Sequence, residues 1–205
     1  LNARRERKKG GQGKRICLFA IRRFMPPKAK REEGDNAYVY SYDEFARYVE
    51  VLAESMTALG GNNQLVIKPH PSNNFHHVRE AMAAAGLDCQ ITDEPIYAAT
   101  AYVDFVVSLY STVFFVPAMM GLPVYIMNSS TQKVVHQWAP MAELYEGFYG
   151  YLREPENLRQ RMPELGERLN GTAGGEAPDY DHLRGFYPDG AMTRGISRIR
   201  KLCGR

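Results

Sequence analysis

Four short apolar runs, "RICLFAI" (15–21), "QLVIK" (64–68), "DFVVSL" (104–109) and "PVYIMN" (123–128), constrain this chain more than any other feature. Each is nearly continuous in apolar residues instead of alternating with polar ones. A strand of that kind is buried on both faces, the condition of a parallel sheet covered by helices on each side. Helical patterns lie between the runs. Ser41 opens one, with Glu44 at capping-box spacing. Phe45, Val49, Leu52, Met56 and Leu59 form its apolar stripe, and Gly60-Gly61 ends it. "NFHHVREAMAAAG" (74–86) predicts a second helix, "CQIT" (89–92) a short strand, "PIYAATAY" (95–102) a short helix and "STVFFVPAMMG" (111–121) a further helix. Strand and helix alternate every ~20 to 35 residues, the signature of an α/β fold with an open parallel sheet flanked by helices.

Beyond Asn128 the pattern loosens. Helices are expected at Glu156 to Leu169 and at Met192 to Leu202, with a Gly-, Pro- and Asp-rich loop (170–190) between them. There is no internal repeat. With 205 residues, the chain can form one large domain or one half of a two-domain enzyme. It opens at Leu1 with a basic stretch and no signal-peptide pattern, and it reads as a piece of something longer. No apolar run approaches the roughly 20 residues of a bilayer span. Cys17, Cys89 and Cys203 are scattered, without a CxxC pair, so they read as reduced thiols in a cytoplasmic protein.

The net charge of +3 hides an asymmetry: residues 1–31 carry twelve Lys/Arg against one Glu, a net +11, which leaves −8 for the rest. Residues 1–14 form a Gly-containing basic arm without apolar periodicity, expected to be a linker or disordered. A solvated linker and peripheral contact with an anionic membrane surface both suit that composition. The arm lacks aromatic residues for base stacking, so nucleic acid is not expected as a partner. Residues 15–205 are expected to form the folded domain.

In open parallel sheets, ligands sit outside the carboxyl ends of the strands. That rule selects residues 22–27, 68–74, 93–95, 110–112 and 128–132. Two of these segments carry matching chemistry. In "KPHPSNN", Lys68 and His70 leave a strand end, and Pro69 and Pro71 restrict the backbone on both sides of the imidazole. In "SLYSTVFF" a helix is expected to start at Ser111 or Thr112, offering N–H groups, a dipole end and hydroxyls to an anion. Plainer roles stand beside these: an ordinary N-cap for Ser111 and Thr112, a packed loop histidine for His70, a solvated strand end for Lys68. Arg22 and Arg23 follow the first strand and are candidate contacts to a donor or an acidic acceptor. Solvation alone suits them equally.

"VIKPHP" followed by "YVDFVVSLYSTVFFVPAMMGLPVYIMN" resembles the C-terminal, Rossmann-like half of GT-B glycosyltransferases. The likeness is to bacterial enzymes of capsule, lipopolysaccharide and teichoic acid assembly: CMP-sialic acid and CMP-Kdo transferases, and CDP-glycerol glycerophosphotransferases. The late "YPDGAMTRGISRI" is similar to an Asp-Gly segment of the polyol-phosphate enzymes. The resemblance implies a nucleotide-donor-binding domain of a metal-independent glycosyltransferase. It would use a CMP-sugar, or alternatively a CDP-alcohol, without further cofactor. Carried over by motif, His70-Pro71 and Ser111-Thr112 bind the nucleotide phosphate, Lys68 supports them, and His70 serves the leaving group. The acceptor, a glycan or lipid-linked molecule, and the catalytic base would belong to an N-terminal acceptor domain of the same or another chain. A non-catalytic nucleotide-sugar-binding module is the third possibility.

The chain also departs from that pattern. Where many GT-B enzymes place an acidic ribose contact, this chain has Val116-Pro117-Ala118, and Pro117 is expected to bend its helix. "REEGDN" (31–36) reads as a solvated charge cluster, His136 and Trp138 as packing residues, and Asp189-Gly190 as a turn. His76 and His77 are adjacent, off a common helical face and without acidic ligands at metal spacing, so no metal site is expected.

Overall fold

The computed structural model describes residues 14–29, 39–109, 111–127, 150–152 and 154–171, with Thr112 described by its backbone. The basic arm up to residue 13, the "REEGDN" cluster, His136, Trp138, Asp189-Gly190, Cys203 and the helix expected at Met192 to Leu202 lie outside the described residues.

Among the described residues, six parallel strands form one sheet: β1 (Arg15–Ala20), β2 (Asn63–Lys68), β3 (Cys89–Ile91), β4 (Phe105–Leu109), β5 (Val124–Met127) and β6 (Tyr151–Leu152). Their order is β3-β2-β1-β4-β5-β6. The open parallel α/β sheet expected from the apolar runs is therefore present, and its strand order is the doubly wound, Rossmann-like one. The strands read as continuous apolar runs because both faces are covered. One core joins Cys17, Phe19, Ile67, Val107 and Met127 to α1 (Tyr42–Leu59), α2 (Phe75–Ala84) and α5 (Asn157–Asn170). The other joins Leu18, Val66, Val106 and Ile126 to α3 (Ile96–Thr100) and α4 (Phe115–Met119). Successive strand residues enter opposite cores, as the pleat requires.

The cap read at Ser41 forms as a full capping box: Glu44 N–H donates to Ser41 Oγ at 3.1 Å, and Ser41 N–H donates to Glu44 Oε2 at 2.9 Å. α5 returns to the α1 side of the sheet. There Arg15 ties the two helix ends together, donating to Leu59 O and Gly60 O at 3.2 Å and to Asn170 Oδ1 at 2.8 Å. Arg47 pairs with Glu156 at the other end of that contact. Cys17 and Cys89 are free thiols, and burial pushes both up from the ordinary thiol range. Among the described residues, no helix is long and apolar enough to cross a membrane.

Two differences from the sequence reading follow from short-range physics. β6 is two residues long, too short to leave a periodic signal. The helix expected over 111–121 is divided into a 3₁₀ turn, Thr112–Phe114, and α4. Pro117 is the third residue of α4, inside the first turn, where an N–H would have no intrahelical partner. The break just before it removes the conflict that was expected to bend a longer helix.

Candidate functional site

β1 is the strand at which connections diverge, with β2 on one side and β4 on the other. The carboxyl ends of these three strands define the crevice that an open sheet offers to a ligand. The last backbone rung between β1 and β2 is Ile21 N–H to Lys68 O, at 3.0 Å. Beyond it both chains turn outward and carry the candidate residues.

After β2, Pro69 is buried and His70 is exposed. Asn73 N–H donates to His70 O at 2.9 Å and closes a four-residue turn, 70–73. Pro71 takes the second position of that turn, where a fixed φ is favourable. This is the physical role of the second proline: it presets the turn and stands exposed beside the imidazole. The ring is further oriented by Ser72, whose N–H donates to Nδ1 at 3.2 Å and whose Oγ lies 2.7 Å from it. A ring nitrogen that receives an N–H presents its lone pair there, so the neutral imidazole carries its proton on Nε2. Burial, and then the charges of Arg23, Arg22 and Lys68, hold His70 below the ordinary histidine range. The charges of these three cations thus add to burial in disfavouring a proton on the imidazole.

After β1, neighbouring arginines separate. Arg22 is half-buried, with its guanidinium carbon 5.7 Å from the ring centroid of buried Tyr40. Burial pushes the Tyr40 phenol up, and the Arg22 charge opposes that rise. Arg23 is exposed. Phe24 is buried and stacks on Phe45, with ring centroids 4.2 Å apart. Of the two candidates, Arg23 faces solvent at the edge and Arg22 packs against the core.

After β4, Ser111 Oγ accepts from Val113 N–H at 3.4 Å, which is the local capping contact of the plainer reading. The helical turn at Thr112 is 3₁₀, and α4 has five residues. Aligned dipoles in so short a segment supply less field than the single longer helix expected. The turns carrying His70 and Ser111 are not adjacent. β1 lies between their strands, so they start about 10 Å apart, two inter-strand spacings. The segment with Arg22 and Arg23 leaves β1, the strand between them.

Other selected positions fall away from this edge or outside the described residues. Residues 93–95 follow β3 at the margin of the sheet, where Glu94 N–H donates to Thr92 Oγ1 at 3.2 Å. Residues 128–132 lie outside the described residues. His76 and His77 both pair with Glu80, at 3.3 and 3.0 Å, and the His77 hydrogen bond leads in holding that carboxyl below its usual range. Among the described residues, no three His, Cys, Asp or Glu side chains converge in a way that could hold a metal ion. Phe115, Pro117 and Ala118, around the position of the missing acidic ribose contact, are buried.

Asn73 was not singled out by the sequence reading. Its side chain spans from the β2 turn to the β1 segment: Phe24 N–H donates to Oδ1 at 3.1 Å, and Nδ2 donates to Arg22 O at 2.8 Å. The available signal was an Asn in a Pro-Ser-Asn-Asn turn, which marks local turn chemistry and says nothing of a partner forty-nine residues away.

No protein family and no curated protein matches the chain. Solved structures similar to it include an O-GlcNAc transferase variant of Thermobaculum terrenum, with 13% identity and TM-score 0.43 over 89% of this chain and 32% of that one. A Listeria monocytogenes protein named as a UDP-N-acetylglucosamine 2-epimerase aligns at 16% identity and TM-score 0.45 over 94% of this chain and 46% of its own. WaaG, a glycosyltransferase of lipopolysaccharide biosynthesis, aligns at 15% and 0.44 over 97% of this chain and 51% of its own. The chain spans between about a third and a half of these structures.

Proposed function

We propose that the carboxyl edge of β1, β2 and β4 binds the phosphate of a nucleotide-activated sugar, and that the chain is the donor-binding domain of a metal-independent GT-B glycosyltransferase. The observation that carries this reading is the turn-mounted, exposed His70 at the switch point of a Rossmann-like sheet, held by Ser72 on Nδ1 and followed across the edge by the exposed Arg23. His70 Nε2–H donates to an oxygen of the departing phosphate, where charge develops as the bond to the anomeric carbon breaks. An anion bound there favours the imidazolium, so the same nitrogen can also pass its proton to the leaving group. Lys68 and Arg23 offset the phosphate charge, and the Ser111–Thr112 turn receives the far side of the donor. An acceptor hydroxyl attacks the anomeric carbon and gives up its proton to a base on a partner domain.

The donor in this reading is a CMP-sugar, and the acceptor a surface polysaccharide or lipid-linked glycan at the cytoplasmic side of a bacterial membrane. A CDP-alcohol donor is the second reading. The separation of about 10 Å between the His70 and Ser111 turns favours it, because two linked phosphates bridge that distance better than one. The products separate the two: transfer from a CDP-alcohol leaves a phosphodiester in the polymer, and transfer from a CMP-sugar leaves no phosphorus. A donor-binding module that turns over only with a second domain is the remaining reading for the chain alone.

The test is a thermal-shift panel of CMP, CDP, UDP, GDP and ADP. A ligand at about 100 times its dissociation constant stabilises the fold by roughly 2.7 kcal/mol. A response confined to the cytidine nucleotides supports the proposal, and no response to any of the five overturns it.

A further inference from the structure

We infer that Asn73 is a positioning residue for the anion site: its carboxamide acts as an extra strand residue that fixes the Arg23 backbone against the turn that carries His70. In a parallel ladder, one residue brackets its partner by accepting from the N–H after it and donating to the C=O before it. Asn73 does this with its side chain around Arg23, accepting from Phe24 N–H at 3.1 Å and donating to Arg22 O at 2.8 Å. The backbone ladder has ended at Ile21 and Lys68, so the carboxamide continues it where β2 has already turned away.

The other side of the same segment is paired too. Tyr40 N–H donates to Arg23 O at 3.3 Å, and Met25 N–H donates to Tyr40 O at 2.8 Å. Residues 22–25 are thus held from both sides, and their side chains alternate: Arg22 on Tyr40, Arg23 outward, Phe24 into the core. Asn73 is itself 7% exposed, so its polar atoms gain little from water in place of these bonds. Its backbone N–H closes the His70 turn. One residue therefore sets both halves of the pair, and the relation between Arg23 and His70 depends on it.

The inference rests on the reading of this edge as an anion site, and two readouts keep the two separable. The first is the His70 titration followed by NMR in the full chain, which requires no ligand. Asn73→Ala and Arg23→Ala should each raise the midpoint, and the double variant should rise no further than Arg23→Ala alone. The second is CDP affinity by calorimetry. Asn73→Ala should weaken it about tenfold, the size of one lost charge-assisted contact, and should add nothing in the Arg23→Ala background. Asn73→Ser keeps a shorter, uncharged hydrogen-bonding group, so it reports on the same pair without a new charge beside the imidazole if the alanine variant does not fold.

Additive effects of Asn73 and Arg23 on the His70 midpoint overturn the inference, as does a midpoint unmoved by either Asn73 variant. If CDP, CMP and the other nucleotides fail to bind the wild type while the non-additive midpoints hold, the nucleotide reading falls and the positioning stands.

Discussion

The turn after β2 is braced from several directions, whereas among the described residues the side-chain cap of the turn after β4 is a local one. In the first, Pro71 sets the backbone, Asn73 closes the turn and reaches across to β1, and Ser72 orients the imidazole. In the second, the described side-chain contact is Val113 N–H to Ser111 Oγ at 3.4 Å, leading into a 3₁₀ turn. The contrast distinguishes two ways to meet an anion. A mounted side chain is placed before the ligand arrives and loses little freedom on binding, which is what preorganised stabilisation requires. A short turn offers backbone N–H groups that a ligand can draw into line.

Four measurements would break or sharpen that comparison. The largest effect is expected at the mounted side: His70→Ala should cost about 2.7–4 kcal/mol of transition-state stabilisation, read as lost kcat in the full enzyme. His70→Gln, which keeps a side-chain N–H, should recover part of it. If both variants turn over like the wild type, the mount serves no chemistry. Next come the neighbouring arginines, which should divide. Arg23→Ala should lower nucleotide affinity by roughly 1.5–3 kcal/mol with little change in melting temperature. Arg22→Ala should instead lower stability by about 1 kcal/mol through the lost Tyr40 contact. Equal behaviour of the two would dissolve the distinction drawn from their exposure.

Ser111→Ala should be milder, about 0.5 kcal/mol in denaturant unfolding, the low end for a cap whose contact is long. A cost above that of Arg22→Ala would show that the β4 turn is the more tightly built one. The smallest effect concerns pH. His70 is held low in the folded state, so the unfolded chain binds more protons in the interval between the lowered and ordinary values. Stability should fall as pH drops through that interval, and His70→Gln should flatten the fall. A slope unchanged in His70→Gln would assign it to other groups.

The sheet was legible because burial on both faces writes itself as continuous apolar runs, and because Ser41, Gly60 and Gly86 punctuate the helices with known chemistry. β6 was not, since two residues of Tyr-Leu carry no period. His70 could be picked out by the prolines beside it. Asn73 could not, because its significance lies in a segment distant in sequence that only the fold brings alongside. The same limit hid the different fates of Arg22 and Arg23: adjacent positions with identical chemistry are told apart only by what Tyr40 places next to them. The helix start at Ser111 was read correctly in place and too generously in length, since Pro117 permits a first turn but not a long uninterrupted run.

The order β3-β2-β1-β4-β5-β6 also bears on the sequence of events in folding. The His70 side of the edge belongs to a unit in which Asn73 and Phe24 meet across forty-nine residues, whereas Ile16 and Asp104, which join β1 to β4, are separated by eighty-eight. Closing the longer loop costs more entropy and lowers the rate at which such contacts form. A nascent chain can therefore assemble the Arg23–Asn73–His70 arrangement before β4 has docked, and the Ser111 turn joins after it. Pulse-labelled hydrogen exchange should find the Phe24 amide protected earlier than the β4 amides during refolding.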